Sequence, residues 1–150
     1  MALHLIKMCV GVASIHELES WIDETRGLMT RLRRPYEQVH TTRNLPKRAA
    51  EILNSKPTEN GSLYWVIKGQ LAARQRILDI RPVVDSAGIS RCNLVLQHHV
   101  VPVDPRPYRP FQGWRYLEGA DAPRDMADIG KGATELPEDM RNELAKLGLL

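Results

Sequence analysis

Two stretches of strand character, Ser62–Lys68 and Leu71–Arg81, flank Gly69–Gln70 and constrain the fold more than any other part of the chain. A short glycine-containing break between two such stretches predicts an antiparallel hairpin. A third stretch, Ile89–Val101, follows closely and places Cys92, Leu94, Leu96 and Val100 on one face of a strand. Adjacent strands with short connections argue against alternating βαβ units and for a strongly bent sheet or small barrel.

The helices fall near the front. Ser14 stands three residues before Glu17, the spacing of a capping box. Behind it Ile15, Leu18, Ile22, Met29 and Leu32 recur every three to four positions, with Trp21 beside them, and predict a helix over 15–32. Residues 3–10 predict a first strand. Pro35 ends the helix and Tyr36–Thr42 predicts a strand. A second helix is expected to start near Asn44, with Pro46 in its first turn and Ala49, Ile52 and Leu53 facing the core. Residues 54–61, NSKPTENG, read as a polar turn. Prolines at 102, 105, 107 and 110 predict an extended, irregular strap over 102–116. The acidic segment 117–150 is expected to hold a last helix from about Pro137. The fold class is therefore α+β: a small curved sheet or β-barrel with packed helices, as a single domain over 1–150.

A chain of 150 residues with 43% hydrophobic and 26% charged residues suits one globular core. Its apolar stretches fall far short of the ~20 residues that cross a membrane. His4 and Lys7 interrupt the first apolar stretch, which also lacks the basic start of a secretory leader. Cys9 and Cys92 form no C-x-x-C and no disulfide framework, so a cytoplasmic location is expected.

Charge is unevenly spread. Residues 31–116 carry fifteen basic and six acidic side chains, a net +9, between ends of −2 (1–30) and −4 (117–150). A basic centre attracts polyanions over about a Debye length. An acidic tail folded back on it would neutralise the same surface.

The blocks HTTRNLPKRAAEIL (40–53), GSLYWVIKGQLAARQRILDI (61–80) and RPFQGWRYLEGADAPRD (109–125) resemble a bacterial family of about this length, classed only as a domain of unknown function. That resemblance runs over nearly the whole chain and implies no activity and no catalytic residue. A short helix, a turn ending in Gly and then consecutive strands are also similar in layout to PUA-like domains, including the ASCH group. These are small β-barrels, many of which bind RNA or modified nucleobases. The G-x-K-x-x-E-x-R pattern of ASCH domains does not occur here.

Three clusters are candidate sites. Arg106–Tyr116 holds four of the eight aromatic residues, with Arg106, Arg109 and Arg115 interleaved. Aromatic faces stack on bases while guanidinium groups hold phosphate, which singles out Arg109, Gln112, Trp114 and Arg115. The same aromatics also suit a plug at one end of a barrel. His40 and Thr42 share one face of their strand, and Arg43 and Lys47 lead into a helix start, where free N–H groups suit an anion. Cations there also oppose the helix dipole and fit a solvated surface. Arg74 and Arg76 project from one strand face, with Gln75 opposite, and either track a phosphate chain or pair with Asp121 or Asp125.

Other chemistry finds little support. His98 and His99 are adjacent and point to opposite faces of a strand, and His16–Glu17 lacks the second His of a zincin helix, so no metal site is expected. No nucleophile elbow, P-loop or dinucleotide fingerprint occurs, and no cofactor is implied. Lys47 beside Thr42 suits amide hydrolysis, without an orienting carboxylate. The leading expectation is a PUA-like domain binding RNA or a nucleotide-containing ligand. The alternatives are an enzyme acting on a small nucleobase-like or amide substrate, and a protein-interaction module whose aromatic strap docks on a partner or on a second copy in a homodimer.

Overall fold

The computed structural model describes residues 3–33 and 37–129. Pro35, Tyr36, the helix expected from Pro137 and most of the acidic segment lie outside the described residues. Among those described, the order is β1 (His4–Met8), α1 (Ile15–Arg31), β2 (Gln38–Thr42), α2 (Ala49–Ile52), β3 (Ser62–Ile67), β4 (Gln70–Val84), β5 (Ser90–Leu96), β6 (Val101–Pro107) and β7 (Trp114–Leu117). The strands form one mixed sheet in the order β2-β5-β4-β3-β1-β7, with β6 also paired to β4. The fold is α+β.

The hairpin over 62–81 forms, with its turn one residue earlier than expected. Ile67 pairs with Gln70, which leaves Lys68 and Gly69 as a two-residue loop. Both have positive φ, 49° and 76°. This is the type I′ geometry that matches strand twist, and glycine adopts it without strain.

β4 is the spine of the sheet. Its first half pairs with β3 on one edge and β6 on the other, and its second half pairs with β5. Fifteen residues of straight strand would reach about 50 Å. Register shifts at Leu71/Ala73 and Ile77/Asp79 bend it instead. The partner must bend as well, which is why the stretch 89–101 breaks after Leu96. Gln97 still donates its N–H to the Arg76 carbonyl at 2.8 Å, and the chain resumes as β6. Cys92, Leu94, Leu96 and Val100 are all buried together.

The strap needs a larger correction. Val101–Pro107 is a regular strand, and Trp114–Leu117 is another. Prolines lack a donor, and β6 accommodates them near the sheet margin, where Asp104 N–H to the Arg124 carbonyl, Arg106 to the Asp121 carbonyl and a Val103–Asp125 bridge cover its outer side.

Strand alternation gives the sheet two faces. The inner face buries Leu5, Leu63, Ile67, Ala73, Ile77, Leu94 and Leu96 under Leu18 and Ile22 of α1 and Ile52 of α2. The outer face buries Ile6, Tyr64, Val66, Leu71, Val103 and Leu117 under Tyr108, Phe111 and Ala122. α1 is capped as expected, Ser14 Oγ accepting from Glu17 N–H and Glu17 reaching back to Ala13 N–H. Its apolar stripe is only half used, because Trp21, Leu28 and Leu32 are 52%, 47% and 53% exposed. Gly61 marks the closest backbone approach: a β-carbon there would collide with the Leu3 carbonyl.

The sheet curls but does not close. β2 and β7 share no ladder among the described residues, and side chain-to-backbone bonds link their surroundings: Trp114 Nε1–H donates to the Asn44 carbonyl at 2.9 Å and Arg48 N–H donates to Tyr116 Oη at 3.1 Å.

Candidate ligand cleft on the inner face

A single cross-strand row organises the inner face near its opening. Lys7 of β1 pairs with Trp65 of β3 on one side and with Trp114 of β7 on the other. Residues directly opposite in a ladder project to the same face, so Lys7 occupies the position between the two tryptophans in this row. The next row, Leu63–Leu5–Tyr116, lies beneath it, and Trp114 meets Tyr116 edge to face at 4.9 Å.

β2 brings His40 over this row. Its imidazole meets Trp65 at 5.1 Å and 87°, an edge-on contact. Burial, with Lys7 adding to it, pulls the His40 pKa down to about 4, so the ring is neutral at physiological pH. Its Nε2 is buried and has no hydrogen-bond partner among the described residues. Such an orphaned atom normally costs stability, and it calls for an explanation. Trp65 is fixed from behind: its Nε1–H donates to Gln75 Oε1 at 2.9 Å, and Gln75 Nε2 donates to Gln38 Oε1 and to the Gln97 carbonyl.

Between Lys7, His40, Trp65, α1 and the β1–α1 connection lies a cleft of about 450 Å³, with Cys9, Leu18, Trp21 and Gln38 also among its walls. That volume is within the range of small-ligand sites. Burial pushes the Cys9 thiol up to about 11 and raises Cys92 as well, so neither thiol is a ready nucleophile. Among the described residues, no group of three His, Cys, Asp or Glu side chains is placed to hold a metal ion.

The structure brings some of the sequence-predicted residues together and separates others. His40 and Trp114 share the inner face. Thr42 is buried, and its hydroxyl donates to the Asn44 carbonyl, so it does not form a nucleophile with Lys47. Arg43 and Lys47 are exposed on a loop, because α2 begins only at Ala49 and has four residues, far short of a helix starting near Asn44. The N–H of Arg48 is already held by Tyr116, and its guanidinium by Glu51 and Glu118. The anion-binding helix start expected there does not form.

Arg74 and Arg76 lie on the outer face beside Tyr64, away from His40. Arg74 makes the tail pairing, with both Asp125 oxygens at 2.8 Å, and Arg76 donates to the Asn60 carbonyl. The segment 106–116 is not one surface either. Trp114 and Arg115 are consecutive on a strand and point to opposite faces; Arg115 lies over the Phe111 ring at 4.7 Å. Arg109 and Gln112 are exposed in the connection before β7. The basic side chains of 31–48, 74–76 and 106–115 thus do not converge on one patch. Lys7, Trp65, Gln38 and Trp21 are the cleft residues that sequence reasoning missed. Lys7 stands out in the sequence only as a charge breaking an apolar strand, a signal consistent with a solvent-reaching or ligand-facing position.

The fold and cleft define an α+β domain with a curled, open sheet and an aromatic-lined hollow at its opening. The chain belongs to the family described as "Protein of unknown function (DUF1489)", whose model matches residues 5–150. No curated protein and no solved structure matches the chain.

Proposed function

We propose that the inner-face cleft binds a nucleobase-bearing ligand, either a nucleotide or a segment of single-stranded RNA, and that the curled sheet is a PUA-like arrangement. The observation that carries this reading is the Trp65–Lys7–Trp114 row with His40 edge-on above it. Indole faces stack on any base, each such stack being worth about 1–3 kcal/mol. The neutral His40 is a wall of the same cleft, and its buried, orphaned Nε2 gains a partner if binding brings the polar edge of a base to it. Lys7 supplies a positive charge within the same row, suited to a phosphate. Two free thiols fit a reducing, cytoplasmic compartment.

Tryptophan fluorescence titrated with nucleoside monophosphates and with a short single-stranded RNA tests the reading. Saturable quenching that weakens with salt is expected, and Lys7→Gln should reduce the salt slope by about 0.7 if Lys7 neutralises one phosphate. Quenching by neither probe, or binding indifferent to both Trp114→Ala and Lys7→Gln, would remove it.

A further inference from the structure

The outer face carries a second polar constellation, separate from the cleft. His4 of β1, Ser62 and Tyr64 of β3, and Arg74 and Arg76 of β4 meet the 119–128 segment around an open hollow of about 300 Å³. We propose that this hollow is an oxyanion site that takes a phosphate group through Arg76, His4 and Tyr64.

The donor inventory supports it. Ser62 N–H donates to His4 Nδ1 at 2.9 Å, which fixes the neutral tautomer with its proton on Nε2. His4 therefore presents a donor, as does the Tyr64 phenol, whose pKa burial raises, keeping it protonated. The two rings meet edge to face at 5.1 Å. Arg74 is neutralised by its two-pronged pairing with Asp125, and a further N–H donates to Ser62 Oγ. Among the described residues, Arg76 donates to the Asn60 carbonyl and forms no ion pair.

Charge runs the same way. Three arginines (74, 76 and 124) and two aspartates (125 and 128) line the hollow, and with His4 neutral its formal charge is +1. Burial and the two guanidinium groups together hold His4 at about 4, and burial followed by Arg74 lowers Arg76 itself. A bound anion would relieve both effects. A cation would meet the opposite: a net positive surround and neutral donors, with Asp125 already taken up by Arg74 and Asp128 as the remaining carboxylate.

The His4 imidazole is its own reporter. The titratable and charged groups around it are Tyr64, Arg74, Arg76, Arg124, Asp125 and Asp128. In an NMR titration of the full chain with inorganic phosphate, the His4 pKa should rise from about 4 with saturable dependence on phosphate, while the His40 pKa stays put. Arg76→Gln should weaken phosphate at least tenfold, and Arg76→Lys, which keeps the charge and guards against a folding artefact, should retain most of it. Tyr64→Phe should weaken it less than Arg76→Gln, and Lys7→Gln in the cleft should leave it unchanged. A short RNA in place of phosphate identifies the source: an equal rise in the His4 pKa means a nucleic-acid backbone, and a rise with phosphate alone means a free phosphate or phosphomonoester. A His4 pKa unmoved by either probe, or a phosphate response that survives Arg76→Gln intact, would overturn the proposal.

Discussion

The two faces of the sheet use the same residue types to opposite ends. On the inner face one cationic residue, Lys7, holds the ladder position between two tryptophans, and His40 keeps a buried nitrogen without a partner among the described residues. On the outer face the cations come in pairs, Asp125 neutralises one of them, and His4 is locked through Nδ1. Both histidines are held near pH 4, chiefly by burial, but Lys7 adds to the effect on one and two arginines on the other. A pKa alone would not tell the faces apart. The hydrogen bonds do: among the described residues one histidine has an unsatisfied buried atom beside the cleft, and the other has its tautomer fixed beside a surplus of positive charge.

The contrast between Trp65 and Trp114 can be broken most forcefully. Trp65 is 4% exposed and bonded to Gln75. Trp65→Ala should cost about 3–5 kcal/mol of stability, read as a fall in the denaturation midpoint. Trp114 is half-buried at the sheet margin, so Trp114→Ala should leave the protein folded. An equal loss in both would make Trp114 a core plug.

On the outer face, Asp125→Ala strands a guanidinium whose side chain is 14% exposed. We expect a loss of about 3 kcal/mol, the lower end for a broken buried pair because Asp125 keeps some solvent access. The same change should improve phosphate binding in the protein that remains folded. Chemical denaturation beside phosphate titration checks both.

The histidines predict a pH dependence with a definite sign. Both folded pKa values, about 4, lie below the ordinary 6.5, so between these values the unfolded chain binds more protons. Stability should be fully present above pH 6.5 and decline as pH falls towards 4. Melting temperature across this window checks it, and His40→Leu should flatten the curve. A flat curve in the parent protein would show that the rings are not held neutral.

Much of the fold was legible because its signals are local. The Ser14–Glu17 cap, the hairpin about Gly69 and the one-faced Cys92, Leu94 and Leu96 each depend on spacing within a few residues. The strap was misread because four prolines suggest irregularity, while an accommodating strand margin tolerates them. The cleft was harder still. Lys7 and Trp114 become neighbours only through a β1–β7 ladder between the two ends of the described chain, and no local pattern announces that register. His40 and Trp114 could be singled out by type. The strand alternation that parts Trp114 from Arg115 was available in principle, but only once residues 114–117 are recognised as a strand.

The smallest change is also the most direct test. Trp114→Ala and Arg115→Ala alter adjacent residues on opposite faces, and their affinity for a short single-stranded RNA can be measured side by side, with melting temperature confirming that both are folded. The account predicts that Trp114→Ala loses about 1–3 kcal/mol, roughly 5- to 150-fold, while Arg115→Ala binds like the parent. An Arg115→Ala defect equal to or larger than that of Trp114→Ala would contradict it, because the ligand would then lie on the outer face.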